Sequence, residues 1–114
     1  MAASDQPDIL SALDGILAER RNADPDASYV ASLYAAGLNR ILEKIGEEAT
    51  EVVLAGKDNA DGGASEALVG EVADLWFHTL VLLSEQSLSS REVVDCLAER
   101  FGLSGLEEKA ARSR

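Results

Sequence analysis

Cysteine, proline and aromatic residues are scarce in this chain of 114 residues. A single cysteine excludes a disulfide within the chain, and two prolines together with an aromatic content of 4% argue against a turn-rich β fold. Cys96 falls at an apolar position of a predicted helix, so we expect it to be a small buried residue. The composition therefore favours an all-α fold without disulfide bonds.

Basic residues are also few, with 10 lysines and arginines against 21 acids and a net charge of −11. No stretch combines basic and aromatic residues, so a nucleic-acid polymer would be repelled, whereas a small polyphosphate could still bind through metal ions. The N-terminal residues lack the pattern of a signal peptide, and two acids interrupt the longest apolar run. We therefore expect a soluble, cytoplasmic protein that binds neither nucleic-acid polymers nor membranes.

Apolar residues recur at helical spacing, which predicts five helices over residues 7–22, 28–34, 38–56, 65–86 and 89–101. Ser28 and either Ser89 or Ser90 are the expected caps, Gly37 separates the second and third helices, and residues 57–64 form the central loop. The expected buried side of the last helix consists of Val93, Val94, Leu97 and Phe101. The length predicts one domain over residues 1–114, a bundle of four to five helices with flexible ends at 1–6 and 105–114.

The fourth predicted helix is apolar on nearly every side, and a single bundle of this size cannot bury all of them. We therefore expect a homodimer or larger homo-oligomer to complete the fold, with this helix at or near the interface. Trp76 lies on this helix and is expected either in the core or between subunits.

Glu71 and Asp74 are the only acids in the apolar run from 67 to 83. They fall with His78 within about 60° on one side of the helix. A carboxylate removed from water is destabilising unless a cation accompanies it. These two acids therefore need a positive partner.

A second acidic stripe lies on the preceding helix, where Glu47, Glu48 and Glu51 share an arc of about 100° with Lys44. If the two stripes face each other, their carboxylates converge on one point and repel unless a divalent cation binds there. Ligands that offer only oxygen select Mg²⁺, with Mn²⁺ as the alternative, over zinc.

The two stripes together resemble a known signature. Glu47-Glu48-x-x-Glu51, then nineteen residues, then Glu71-x-x-Asp74 is similar to the EExxE…ExxD motif of the all-α, MazG-type nucleoside triphosphate pyrophosphatases. Within that superfamily, GEEATEVV, EVADLWFHTLVLL and the closing SGLEEKAARSR resemble the phosphoribosyl-ATP pyrophosphatase family over about residues 5–112. The resemblance implies a MazG-like helical fold and Mg²⁺-dependent hydrolysis of 1-(5-phosphoribosyl)-ATP to 1-(5-phosphoribosyl)-AMP and pyrophosphate, the second step of L-histidine biosynthesis.

Carried over by motif, the resemblance implies four metal ligands: Glu48, Glu51, Glu71 and Asp74. We infer in-line attack of a metal-polarised water on phosphorus. Glu47 is our first choice for the carboxylate that accepts the water's proton, because it is not committed to the metal, and Glu51 is the second.

Four further residues are candidates for binding the substrate, and each has a simpler alternative. Lys44 can meet phosphate oxygens or only form an ion pair with Glu48. Lys57 and Arg40 are candidates too, although a basic residue at a helix C-terminus also offsets the helix dipole. His78 either supports the site or contacts substrate, or it is a hydrogen-bonded core histidine.

Two other functions remain open on the sequence. One is a house-cleaning pyrophosphatase that acts on deoxynucleotides such as dUTP or dCTP through the same metal site. The other is a helical dimerisation module without catalytic activity, whose acidic stripes are solvated. The second alternative leaves the two acids of the apolar run unexplained.

Overall fold

The computed structural model describes residues 8–102, and these residues form five α-helices and no strand. The helices are α1 (Ile9–Arg20), α2 (Tyr29–Ala36), α3 (Leu38–Ala60), α4 (Ser65–Glu85) and α5 (Ser90–Arg100). The all-α prediction is confirmed. The ends that we expected to be flexible, residues 1–6 and 105–114, lie outside the described residues.

The helix boundaries follow the capping signals in the sequence. Ser28 caps α2 by accepting a hydrogen bond from the Ala31 amide. Gly37 separates α2 from α3 with a φ of 101°, a backbone angle that residues other than glycine rarely adopt. Ser89 caps α5, and its amide donates to the Glu92 carboxylate at 2.9 Å. The signals at these three boundaries therefore act locally, as predicted.

The predicted end of α3 at residue 56 was wrong, because the helix continues to Ala60 and leaves only four residues before α4. Gly56 stays helical and packs close to α4, where a β-carbon added to it would lie 3.9 Å from Leu68 Cδ1. The chain turns instead at Gly62, with a φ of 98°, and at Gly63, where a β-carbon would lie 2.7 Å from the Asp58 carbonyl oxygen. This short turn makes α3 and α4 a helical hairpin.

The core lies where α1, α2, α3 and α4 meet. Leu17, Ile41 and Val81 are its largest fully buried side chains. Asp14 of α1 fastens α5 to this core by accepting hydrogen bonds from the amide and the hydroxyl of the buried Ser90. The core thus holds the α3–α4 hairpin, and α1 anchors the start of α5.

Two predictions of burial on α5 were wrong. Cys96 is exposed, and so are all four residues of the expected buried side, Val93, Val94, Leu97 and Phe101. Helical spacing shows which side of a helix is apolar, but it does not supply a neighbouring element to cover that side. In the described chain, α5 packs against α1 through its first turn and leaves its later turns open.

Helix α4 is long and apolar enough to satisfy the composition criterion for a membrane span. The same criterion is met by central helices of soluble bundles, and α4 carries Glu71 and Asp74 on the side that meets α3. Only 17% of its apolar stretch is buried within the chain. Trp76 accordingly is not a core residue, since it is 59% exposed.

Candidate active site

The hairpin of α3 and α4 brings acids from both helices together. Glu48 of α3 and Glu71 and Asp74 of α4 each offer a carboxylate oxygen, and these oxygens all lie within 4.8 Å of one another. Gly56 of α3 also lies next to Leu68 of α4, nearer the turn of this hairpin. We call Glu48, Glu71 and Asp74 the acidic cluster.

The cluster is unfavourable without a cation. Partial burial raises the pKa of Glu71, and the charges of Glu51, Asp74 and Glu48 raise it further. Three converging carboxylates, two of them partly buried, suit a hard divalent cation, because oxygen ligands and negative charge are what such an ion requires. The residues present therefore fit a metal site.

Glu51, the fourth predicted ligand, is exposed and lies outside the acidic cluster. It is nevertheless close enough for its charge to raise the pKa of Glu71. Its role as a ligand stays a prediction.

Glu47, our first choice of base, points toward cations instead of toward the cluster. Its carboxylate accepts a hydrogen bond from Lys44 Nζ at 3.2 Å and lies 3.7 Å from Arg40 Nη1. Glu43 also takes part, since Arg40 donates to it at 3.0 Å. Glu47 is therefore committed to an ion-pair network on the outer side of α3.

Lys44 connects this network to the acidic cluster. Its ammonium lies 3.2 Å from Glu47 and 3.6 Å from Glu48, and its side chain is largely covered. The hydrogen bond to Glu47 raises the pKa of Lys44, and the nearby Tyr29, Glu47 and Glu48 add to this while burial opposes it. Lys44 thus stays a cation beside the acids, where a phosphate group could reach it.

Lys57 lies in the last turn of α3 and is exposed, so the structure does not bring it into the cluster. Its position is the one in which a cation offsets the helix dipole. Substrate binding by Lys57 and by Arg40 stays a prediction.

His78 is 4% exposed, and both of its ring nitrogens are bonded to protein. Nδ1 lies 2.8 Å from the Asp74 carbonyl oxygen, and Nε2 lies 2.9 Å from the Tyr29 hydroxyl. The ring therefore supports the turn of α4 that carries Asp74. A direct contact of His78 with substrate would require Tyr29 to move and stays a prediction.

Sequence reasoning missed Tyr29, the first residue of α2. Its hydroxyl is hydrogen-bonded to His78, which lies 49 residues further along the chain, and no periodicity or spacing rule links the two positions. The only local signal is its place directly after the cap Ser28.

Comparisons with known proteins identify the family of this chain. The phosphoribosyl-ATP pyrophosphohydrolase family profile matches residues 10–101. A phosphoribosyl-ATP pyrophosphatase of Hydrogenovibrio crunogenus is 59% identical over 107 residues, which are 94% of this chain and 95% of that protein. Proteins of the same name from Burkholderia multivorans and Burkholderia cenocepacia are 57% identical over 94% of this chain and 88% of their own length. On this evidence, the chain belongs to the phosphoribosyl-ATP pyrophosphohydrolase family.

Proposed function

We propose that this chain is a single-domain cytoplasmic enzyme that hydrolyses 1-(5-phosphoribosyl)-ATP to 1-(5-phosphoribosyl)-AMP and pyrophosphate in L-histidine biosynthesis. The observation that carries the proposal is the convergence of Glu48, Glu71 and Asp74 in a chain of this family. A non-catalytic helical module would have no use for three acids gathered between its helices.

The acidic cluster would hold Mg²⁺, with Mn²⁺ as a substitute. When bound, the ion would neutralise charge on the triphosphate and on the departing pyrophosphate and would polarise the attacking water. Lys44 stands beside Glu48 and would bind phosphate oxygens from the cluster's edge. Arg40 and Lys57 of α3 are the further candidates for contact with phosphate oxygens.

The structure gives a reason to reverse our order of candidate bases. The Glu47 carboxylate accepts a hydrogen bond from Lys44 and faces Arg40, so it is turned toward these cations and not toward the acidic cluster, where the attacking water would lie. Glu51 forms no ion pair among residues 8–102 and lies close to Glu71. We therefore propose Glu51 as the group that takes the proton of the attacking water.

A pyrophosphate-release assay tests the activity. We expect turnover of phosphoribosyl-ATP with Mg²⁺, loss of turnover with EDTA, and little release from ATP, dUTP or dCTP. Glu71→Gln should abolish turnover, whereas Asp95→Asn, which removes an exposed acid paired with Arg91, should not. Release from deoxynucleotides alone would instead assign a house-cleaning role, and no release from any substrate would refute catalysis.

The choice of base has its own test. Loss of a general base lowers kcat by about 10²- to 10⁴-fold, so Glu51→Gln should do this with little change in KM. Glu47→Gln should mainly raise KM, because it releases Lys44 from its closest partner. The reverse result would restore Glu47 as the base.

We also propose that two or more copies of the chain associate. Each long helix leaves an apolar stripe exposed, with Leu42 and Val53 on α3 and Val69 and Trp76 on α4. Residues 69 and 76 are one heptad apart, as expected for a helix seam. Burying such stripes is the main driving force for association.

Light scattering after size exclusion tests the oligomer. We expect at least a dimer for the unaltered chain and a monomer for Trp76→Glu, which places a charge in the proposed interface. Trp76 is the only tryptophan, so its fluorescence in the unaltered chain should shift to longer wavelength when the oligomer dissociates on dilution. A monomeric unaltered chain would refute the proposal.

A further inference from the structure

The hydroxyl of Tyr29 is hydrogen-bonded inside the protein, whereas much of the residue is exposed to solvent. Its hydroxyl is bonded to the buried His78, and its ring lies at 25° to the Phe77 ring with centroids 6.2 Å apart. The residue is nevertheless 53% exposed. A large side chain whose polar end is fixed inward while much of its ring faces outward is already ordered for contact with a ligand.

The position of Tyr29 is next to the acidic cluster. The His78 ring lies between the Tyr29 hydroxyl and the Asp74 carbonyl oxygen, because Nε2 is 2.9 Å from the hydroxyl and Nδ1 is 2.8 Å from the carbonyl oxygen. Tyr29 also lies near Lys44, whose ammonium is 3.6 Å from Glu48. A substrate whose phosphates lie between Lys44 and the cluster would therefore extend past this ring.

The other aromatic residues in the part of the chain that the structure describes do not share this position. Tyr34 packs against Arg21, and Phe77 lies partly buried beside Tyr29. Trp76 falls about 160° from Asp74 around α4, and Phe101 lies at the end of α5. Tyr29 is thus the exposed ring tied to the cluster by hydrogen bonds.

The hydrogen bonds also indicate what Tyr29 can recognise. The Asp74 carbonyl can only accept, so His78 donates to it from Nδ1, and in the tautomer that carries its hydrogen on Nδ1 the ring accepts at Nε2. The Tyr29 hydroxyl hydrogen is used in this bond, which leaves only oxygen lone pairs for a ligand. A phosphate oxygen has no hydrogen to offer them, whereas a sugar hydroxyl or a base amino group has.

We propose that Tyr29 is a substrate-binding residue that contacts the sugar and base portion of the nucleotide, through its ring face and its acceptor oxygen, and not the phosphates. This inference rests on the proposed nucleotide substrate. It adds a recognition element for the part of the substrate that the acidic cluster and Lys44 do not reach.

Kinetics of Tyr29→Phe and Tyr29→Leu with phosphoribosyl-ATP test the proposal. Loss of one hydrogen bond should raise KM about threefold to tenfold in Tyr29→Phe, and loss of the ring should raise it further in Tyr29→Leu. We expect kcat to stay within about threefold in Tyr29→Phe, since the metal and proton-accepting carboxylates are unchanged. Tyr34→Phe removes a hydroxyl from the same helix away from the cluster and should leave KM unchanged.

Inorganic tripolyphosphate separates a contact with the nucleoside from a structural effect. Its inhibition constant should be the same for the unaltered chain and both Tyr29 variants, because it has no sugar or base. Equal weakening of tripolyphosphate and phosphoribosyl-ATP would show that Tyr29 only supports the cluster through His78, and an unchanged KM would show that it contacts nothing. Both results would overturn the proposal.

Failure of the proposed function gives a different result. In that case the unaltered chain would not hydrolyse phosphoribosyl-ATP at all. Calorimetric titration of a nucleotide that it does hydrolyse, with tripolyphosphate as the comparison, would then decide the role of Tyr29 by the same two outcomes.

Discussion

Asp74→Asn should stabilise the protein without divalent ions and remove the stabilisation that these ions give. A carboxylate oxygen of the exposed Asp74 lies within 4.8 Å of carboxylate oxygens of Glu48 and Glu71. The asparagine side chain has the same shape as that of aspartate, so the substitution needs no rearrangement of the site. The hydrogen bond from His78 is made to the Asp74 backbone and is therefore retained. The substitution changes charge and leaves the local structure in place.

The expected magnitude follows from the spacing. Two unit charges 4.8 Å apart repel by about 1 kcal/mol at the dielectric constant of water, so loss of the repulsion between Asp74 and Glu48 alone should stabilise the variant by this amount. The repulsion from Glu71 adds in the same direction. For a domain of this length, about 1 kcal/mol corresponds to a rise in Tm of roughly 4 °C.

Divalent ions should make the unaltered chain more stable than Asp74→Asn. A ligand at 100 times its Kd stabilises the folded state by about 2.7 kcal/mol, which exceeds the repulsion removed by the substitution. Thermal unfolding in EDTA and in increasing MgCl₂ or MnCl₂ should therefore show the variant melting higher without ions and the unaltered chain melting higher with them.

Asp95→Asn is the control for a general effect of charge. Asp95 is paired with Arg91 at 3.1 Å on an exposed side of α5, so its loss should change stability by less than about 1 kcal/mol and leave the response to ions intact. If Asp74→Asn were no more stable than the unaltered chain in EDTA and responded equally to Mn²⁺, the three acids would not form a cation site.

Three further predictions concern individual groups. The pKa of Glu71 is raised in the folded state, so just above the usual pKa of glutamic acid the folded state binds more protons than the unfolded chain. The free energy of unfolding without metal ions should therefore rise as the pH falls through this range. Urea titrations in EDTA should show this dependence for the unaltered chain and its loss in Glu71→Gln. Asp14→Ala should lower the free energy of unfolding in urea by about 1 to 3 kcal/mol, since it leaves the buried Ser90 amide without its acceptor, and a smaller loss than this would show that water replaces the carboxylate. Tyr34→Phe should leave the Tm unchanged or raise it, because this buried hydroxyl has no hydrogen-bond partner among residues 8–102, and a clear fall in Tm would indicate an unseen partner.

The helical fold could be predicted where the controlling signal is local. Ser28 and Gly37 set their boundaries through their own hydrogen bonds or backbone angles, and both were identified from the sequence. The predicted end of α3 was wrong because Gly56 does not terminate the helix. A glycine within a helix lowers stability by only about 1 kcal/mol relative to alanine, so a single glycine does not have to end a helix of this length.

The acidic cluster could be predicted in part, because the side of a helix on which an acid lies is fixed by helical geometry. Glu48, Glu71 and Asp74 meet as the two stripes indicated. The same geometry could not distinguish the surroundings of Glu47 and Glu48, which depend on where neighbouring cations lie. Lys44 and Arg40 both approach Glu47, and only the folded arrangement shows this.

Contacts between distant segments explain what sequence reasoning could not reach. His78 had two interpretations on the sequence, as a core residue or as part of the site, and the structure shows why neither was sufficient alone. It is buried and hydrogen-bonded as a core residue would be, yet its two partners are the turn that carries Asp74 and the exposed Tyr29. Through this ring, α2 is hydrogen-bonded to the turn of α4 that carries Asp74, so the position of α2 in the bundle fixes an aromatic side chain beside the acidic cluster.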